Sequence, residues 1–142
     1  MGIPWTPALA IGVPEIDQQH QELFARIDRL VTGIVDGRRG EIEHLLDFLG
    51  QYIVKHFGAE ERWMIRSAYP EYARHKQEHE RFIRDYERMR MEYQEKGPNI
   101  LVGMRVNNWI SEWLKGHISH SDMELGRYLA TKLSSRDLAG GT

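Results

Sequence analysis

Apolar residues recur every three or four positions in four long stretches of the chain, with polar residues between them. The first stretch has the core-facing positions Ile16, His20, Leu23, Ile27, Leu30 and Ile34. The second has Ile42, Leu46, Leu49, Ile53, His56, Glu60 and Trp63, and the third has Tyr72, His75, His79, Phe82, Tyr86, Met89 and Tyr93. The fourth begins with Val102, Val106, Trp109 and Trp113. This spacing keeps one face of an α-helix apolar and predicts four helices packed side by side.

Glycine and proline separate the four stretches. Breaks fall at VDGRRG (35–40), SAYP (67–70) and EKGPN (95–99), and Pro70 and Pro98 suit the first turn of a helix. Short connections between neighbouring helices favour an all-α fold, an up-down-up-down four-helix bundle. The predicted single domain, 1–142, consists of an extended N-terminal arm (1–15), helices at about 16–36, 40–66, 70–95 and 98–133, and a polar tail (134–142).

Five polar side chains occupy core-facing positions of these helices: His20, His56, Glu60, His75 and His79. A buried polar group without a partner costs about 1–3 kcal/mol, and a buried charge costs more. A domain whose net stability is about 5–15 kcal/mol cannot hold five such groups unsatisfied. The spacings His-x-x-x-Glu and His-x-x-x-His place two metal ligands one helical turn apart. The pattern therefore predicts a metal site in the core of the bundle.

The fourth helix adds His117 and Asp122, which are five residues apart. In a regular α-helix five residues advance about 140° beyond a full turn, so the two side chains would diverge. A local π-type turn would bring them to one face. Leu125 and Leu129 resume the regular spacing after Asp122. We therefore predict a helix distortion near 117–122.

Five histidines and two carboxylates on four helices are thus candidate ligands. A tetrahedral zinc site takes four ligands, so this number favours two metal ions with bridging carboxylates. Ligation rich in imidazole suits iron, zinc, copper or nickel better than magnesium or calcium. Ligand counting leaves the choice among those four metals open.

The amino-acid composition excludes several kinds of site and partner. The chain has 142 residues, no cysteine and a formal net charge of −2. Without cysteine there are no disulfides, thiolate zinc sites or Cys-ligated iron–sulfur clusters. The near-neutral charge supplies no basic field for nucleic acid. No stretch approaches the ~20 apolar residues of a membrane span, and MGIPWTPALAIGVP lacks the basic start of a signal peptide, so we expect a soluble, cytoplasmic protein.

Four runs of residues resemble the hemerythrins, in particular the single-domain bacterial ones: GVPEIDQQHQEL, HFGAEERWM, HKQEHERF and HISHSD. The resemblance extends from about Trp5 to Leu133 and implies a non-haem di-iron centre that binds O₂ reversibly. By position in these motifs, one iron would be held by His75, His79 and His117. The other would be held by His20 and His56, leaving one open position where O₂ binds. Glu60 and Asp122 would bridge both irons, together with an oxo or hydroxo group.

The resemblance also implies an apolar O₂ pocket. The matching positions are Leu23, Phe57, Trp113, Leu114 and Ile118. A dry pocket should slow the loss of superoxide or peroxide to solvent. The alternative, that these are ordinary core residues, is compatible with pocket contact.

Three polar residues near the motifs are not expected to bind metal. His44 lies off the face that carries Ile42 and Leu46, so we expect it to be exposed. His120 lies between His117 and Asp122 but matches no ligand position. Glu61 lies about 140° from His56 around the helix, so it should reach solvent or a surface partner.

The leading interpretation is an O₂-binding di-iron protein, a carrier, store or deliverer of oxygen to an oxygen-using enzyme, and not itself an enzyme. Neutral imidazoles donate less negative charge than the carboxylate-rich ligands of bundle di-iron sites that activate O₂, so the site should bind O₂ and stop there. Three alternatives stay open. The protein would be a stand-alone O₂ or redox sensor acting through a signalling partner, a di-iron enzyme of peroxide, ferroxidase or nitric-oxide chemistry, or a bundle with zinc or no metal.

Overall fold

Helices make up the regular secondary structure of the described residues, 5–38, 40–133 and 137–138, in the computed structural model. After a short 3₁₀ turn at Pro7–Leu9, the α-helices are α1 (Pro14–Val35), α2 (Gly40–Tyr52), α3 (Gly58–Arg66), α4 (Tyr72–Lys96), α5 (Ile100–Trp113) and α6 (Met123–Lys132). Two π-helices, Ile53–Phe57 and Leu114–Asp122, connect α2 directly to α3 and α5 directly to α6. The described residues therefore form four long helices and contain no β-strand.

Two prolines lie in the turns that precede helices, not in the first helical turns. Pro70 lies in the turn before α4, and Pro98 lies two residues before the start of α5. The prediction that these prolines lie in the first helical turns is therefore wrong, because α4 begins at Tyr72 and α5 begins at Ile100. At α5 the Asn99 side chain caps the helix by accepting the Val102 N–H at 3.0 Å. Pro14, in contrast, is the first residue of α1.

The N-terminal arm packs against α6. Ile11 and Val13 are buried, and the N–H groups of Ile11 and Gly12 donate to the Asp17 carboxylate at 2.7 and 3.3 Å. A Cβ atom on Gly126 would lie only 2.4 Å from the Ile11 carbonyl oxygen. Of the predicted arm, residues 1–4 lie outside the described residues and residues 14–15 belong to α1. Of the predicted tail, only residues 137–138 are described.

Two apolar clusters form the core. The larger cluster includes Leu23, Leu30, Ile42, Leu49, Phe57, Phe82, Val102, Val106 and Ile118. The smaller cluster includes Ile11, Val13, Ile16, Trp63, Met64, Leu125 and Leu129, with Tyr72 packed against it. Along each long helix the predicted metal ligands lie between residues of the two clusters. The polar positions therefore lie within the core rather than at its edge.

Neighbouring helices enclose these clusters. α1 packs against α2 and α5, and α4 packs against α2, α3 and α5. Among the described residues, no helix has the length and apolar character that a membrane crossing requires.

Candidate metal centre

All seven candidate ligands are buried, and every one of the four long helices contributes at least one. α1 carries His20, the first π-helix carries His56, α3 carries Glu60, α4 carries His75 and His79, and the second π-helix carries His117 and Asp122. Their exposed fractions do not exceed 3%. His44 and His120 are exposed and lie outside the cluster.

The ligands form two groups that share two carboxylates. One group is Glu60, His75, His79, His117 and Asp122, and the other is His20, His56, Glu60 and Asp122. Within each group the ligand atoms lie within 4.8 Å of one another. Because Glu60 and Asp122 belong to both groups, they are the residues able to bridge two ions.

Two of the four long helices contain a π-helix, and each π-helix carries candidate ligands. In a π-helix the hydrogen bonds run between residues five apart, so His117 and Asp122 reach the same group although an α-helix would separate them. Two side chains also reach the backbone oxygen five residues back: the Ser119 hydroxyl donates to Leu114 O at 3.1 Å, and His120 Nδ1 lies 3.0 Å from Lys115 O. The π-helix at Ile53–Phe57 is not predicted by the sequence, because the spacing of core-facing residues stays regular through it.

The geometry around Asp122 fits a cation. His20 Nε2 lies 3.0 Å from Asp122 Oδ2, while His75 Nε2 and His117 Nε2 lie 3.1 and 3.0 Å from Asp122 Oδ1. Nevertheless, both Asp122 oxygens, Glu60 Oε2 and His117 Nε2 have no hydrogen-bond partner among the described residues. Metal ions can satisfy buried polar atoms that converge on common points and have no hydrogen-bond partner of their own.

Residues outside the predicted ligand set hold three of the histidine rings. His56 Nδ1 lies 2.7 Å from Gln19 Oε1, His79 Nδ1 lies 3.1 Å from Glu61 Oε2, and His117 Nδ1 lies 2.7 Å from Glu78 Oε1. An oxygen acceptor at Nδ1 keeps the proton on that nitrogen, which leaves the Nε2 lone pair free for a metal ion.

Sequence reasoning missed these three supporting residues. Glu61 does have the expected surface partner, because Lys76 Nζ donates to it at 3.0 Å, but its other oxygen contacts His79 inside the protein. One general rule could have pointed to these supporting residues: a metal-bound histidine usually donates its second ring N–H to an acceptor. That rule makes polar neighbours of the ligands candidates, but it does not say which ring each one reaches. Glu78 precedes His79 in the chain and contacts His117 instead.

Carboxylates and burial shift the histidine pKa values in opposite directions. Burial would lower the pKa of His75, but Asp122 and Glu60 outweigh burial and raise it to about 9. Burial lowers the pKa of His56, with Glu60 opposing that shift. Burial would raise the pKa of Glu60, yet the surrounding histidines hold it well below its usual range. The carboxylates are therefore ionised, and a metal ion binding here must displace histidine protons.

Aromatic rings cover the three-histidine side of the cluster. Phe57 stacks on His79 with ring centroids 3.9 Å apart, and Trp113 stacks on His117 at 4.0 Å. Leu23, Leu114 and Ile118 are buried in the larger apolar cluster. Trp113 and His117 also border a cleft of about 410 Å³ that is lined by charged residues including Arg74, Glu78 and Glu112.

Comparison with known proteins identifies the family. Residues 11–129 match the family model of the Hemerythrin HHE cation binding domain. A bacteriohemerythrin of Stenotrophomonas maltophilia is 32% identical over 83% of this chain and 75% of its own length. A bacteriohemerythrin of Methylococcus capsulatus is 29% identical over 89% and 95%, and a hemerythrin-like protein of Naegleria gruberi is 29% identical over 84% and 87%. The chain therefore belongs to the hemerythrin family.

Proposed function

We propose that this protein holds two iron ions and binds O₂ reversibly, as a carrier, store or deliverer of oxygen. The observation that carries the proposal is the pair of ligand groups sharing Glu60 and Asp122. One group adds three histidines to the shared carboxylates and the other adds only two, so the second ion keeps room for an exogenous ligand. Iron ions bound there, with an oxo or hydroxo bridge, would supply the redox chemistry of O₂ binding.

The protein's own residues define the surroundings of that ligand. Phe57 stacks on His79 and Trp113 stacks on His117, both in the three-histidine group, and the Phe57 ring centroid also lies 6.0 Å from that of His56 in the two-histidine group. Leu23, Leu114 and Ile118 are buried apolar residues of the same core cluster. We propose that these five side chains form the O₂ pocket and exclude water from it. In a pocket without water, a charged oxygen species lacks the solvation that would help it escape.

An up-down-up-down bundle is part of the proposal. α1 runs from the smaller apolar cluster, at Ile16, to the larger one, at Leu30. The second long helix runs from Ile42 in the larger cluster to Trp63 in the smaller. The third and fourth alternate in the same sense, from Tyr72 to Phe82 and from Val102 to Leu129. The alternating order supports antiparallel neighbours.

Histidine-rich ligation supports binding over catalysis. Five of the seven ligand residues are histidines, which coordinate as neutral groups, and two are carboxylates. Less negative charge from the ligands gives less stabilisation of high-valent iron. We therefore propose that the protein is not an enzyme and that an oxygen-using enzyme or a signalling protein is its partner.

The single domain and the cytoplasmic location remain predictions. Cell fractionation tests the cytoplasmic location.

The test is the absorption spectrum of the iron-loaded, anaerobically reduced protein before oxygen, after oxygen and after deoxygenation. A charge-transfer band that appears with O₂ and disappears on its removal supports reversible binding, and the zinc-loaded protein, which should show no band, is the control. Irreversible conversion to the oxidised protein contradicts a carrier and favours a sensor. Sustained turnover with added peroxide or nitric oxide favours an enzyme. Metal analysis of protein from its native host decides between iron and zinc.

A further inference from the structure

The two ligand groups differ in what lies behind their histidines. Glu61 Oε2 lies 3.1 Å from His79 Nδ1, and Glu78 Oε1 lies 2.7 Å from His117 Nδ1. Behind His56 there is an amide oxygen, Gln19 Oε1, at 2.7 Å. The three-histidine group is therefore supported by two carboxylates, and the two-histidine group by one neutral amide. The remaining histidine of each group, His75 or His20, has no hydrogen-bond partner for Nδ1 among the described residues.

Each supporting carboxylate has partners of its own that favour its ionised form. Lys76 Nζ donates to Glu61 Oε1 at 3.0 Å. The Ser121 hydroxyl donates to Glu78 Oε1 at 2.6 Å, and Arg74 Nη1 lies 3.8 Å from Glu78 Oε2. The side chains of Glu61 and Glu78 are only 23% and 24% exposed, so solvent screens their charge incompletely. Both glutamates are thus fixed between a histidine ring and at least one further polar partner.

The charge of the acceptor changes the donor strength of the ring. A hydrogen bond from an imidazole N–H to an ionised carboxylate is roughly twice as strong as one to a neutral amide. It draws the N–H proton toward the acceptor and makes the opposite ring nitrogen a better electron donor to a metal ion. His79 and His117 receive this support, whereas His56 receives the weaker, neutral form.

We propose that Glu61 and Glu78 are positioning residues of the three-histidine site. They make this site bind its metal ion more tightly than one additional histidine ligand would by itself. The centre then fills in a fixed order, with the three-histidine site first. Gln19 keeps the two-histidine site weaker and filled second. This inference rests on the proposed two-ion centre but not on O₂ binding.

The experiment titrates Co²⁺ into the metal-free full-length protein and follows heat and the visible absorption of the bound ion. The wild type should show two steps. His56→Ala, which removes a ligand of the two-histidine group alone, should weaken the second step and so identify it. Glu61→Gln and Glu78→Gln should each weaken the first step by about 10–100-fold and shift the visible bands of the first-bound ion. Gln19→Glu should tighten the second step.

Glu92→Gln is the matched control, because it makes the same carboxylate-to-amide change on α4 at a residue outside both ligand groups, which binds Arg105 and Lys96 instead. It should keep a nearly wild-type first step. The inference is overturned if Glu61→Gln and Glu78→Gln both leave the first step unchanged or weaken the two steps equally, or if Glu92→Gln weakens the first step as they do. Circular dichroism must show equal helix content in every variant compared. If the wild type binds fewer than two Co²⁺, the two-ion centre fails and this inference fails with it. If the wild type binds two Co²⁺ ions but the iron-loaded protein shows no reversible change with O₂, only the proposed O₂ binding fails. The Glu61→Gln and Glu78→Gln titrations then still decide this inference.

Discussion

Glu60 and Glu61 are consecutive residues that contact opposite ring nitrogens of His79. Glu60 Oε1 lies 2.8 Å from Nε2, and Glu61 Oε2 lies 3.1 Å from Nδ1. Glu60 is fully buried, whereas the Glu61 side chain is partly exposed and also binds Lys76. The two acids therefore have different tasks at one imidazole. Glu60 belongs to both candidate ligand groups, and Glu61 holds the ring.

Glu60→Gln should abolish binding of the iron pair, because the neutral amide removes one of the two carboxylates common to both ligand groups. Glu61→Gln should keep the iron and bind it more weakly, since the amide oxygen still accepts the His79 N–H. Iron content after purification, measured by plasma emission spectrometry, tests both. Equal iron loss in the two variants would show that the adjacent acids share one role.

Metal-free protein should lose stability as the pH rises from about 6.5 to 9. The pKa of His75 is raised from 6.5 to about 9, and that of His117 is raised in the same direction. A group whose pKa is higher in the folded state stabilises the fold below its unfolded value, and this contribution is lost as the pH rises through the folded value. His56, whose pKa is lowered, is neutral throughout this window. The expected loss is on the order of 3 kcal/mol from His75 alone, with His117 adding to it, read from urea unfolding at several pH values.

Metal loading should remove this pH dependence, because histidine ligands bind the metal in their neutral form. The zinc-loaded protein, unfolded by urea over the same pH range, is the comparison. A metal-free protein whose free energy of unfolding stays flat from pH 6.5 to 9 would contradict the protonated state of His75.

The sequence predicts most of this architecture because both the core and the ligands follow helical periodicity. Ile16, His20 and Leu23 share one face of α1 because of their spacing along the helix, and all three are buried. This shared face can be predicted without knowing how the neighbouring helices are placed. The distortion near His117 is predictable for the same reason, since a five-residue spacing conflicts with the α-helical repeat. The π-helix at Ile53–Phe57 produces no such conflict and leaves no sign in the residue spacing.

Contacts between helices account for what periodicity does not reveal. Glu78 is on α4 and contacts His117 in the second π-helix, and Gln19 on α1 contacts His56 in the first. Such pairs depend on how two helices are placed relative to one another. The residue types are suitable acceptors, but many exposed glutamates of the chain are equally suitable by type alone. Only the packed structure identifies the ring that each one holds.

Trp113 should report metal binding by fluorescence. Its ring is stacked on His117 with centroids 4.0 Å apart and an angle of 12° between the planes. Binding of Co²⁺ or iron beside this ring should quench its emission strongly, so Trp113→Phe should remove a large part of the fluorescence change during a metal titration. Trp109→Phe is the control, because Trp109 stacks on Phe82 at 4.7 Å. A change that survives Trp113→Phe intact would place the quenched ring elsewhere.

Gly126→Ala should destabilise the protein through the N-terminal arm. The added Cβ would lie 2.4 Å from the Ile11 carbonyl oxygen and 2.7 Å from the Ile11 Cβ, so the arm must move away from α6. Ile11 is buried and its N–H donates to Asp17, so displacing it loses apolar contacts and weakens the hydrogen bonds at the start of α1. The expected cost is about 1–3 kcal/mol, the usual range for overpacking. Gly116→Ala is the matched control, because no described atom outside its own stretch of helix lies within 4 Å of its added Cβ, and it should be neutral or stabilising by up to about 1 kcal/mol. Urea unfolding of both metal-free variants measures the difference, and equal stabilities would mean that the arm is not held against α6.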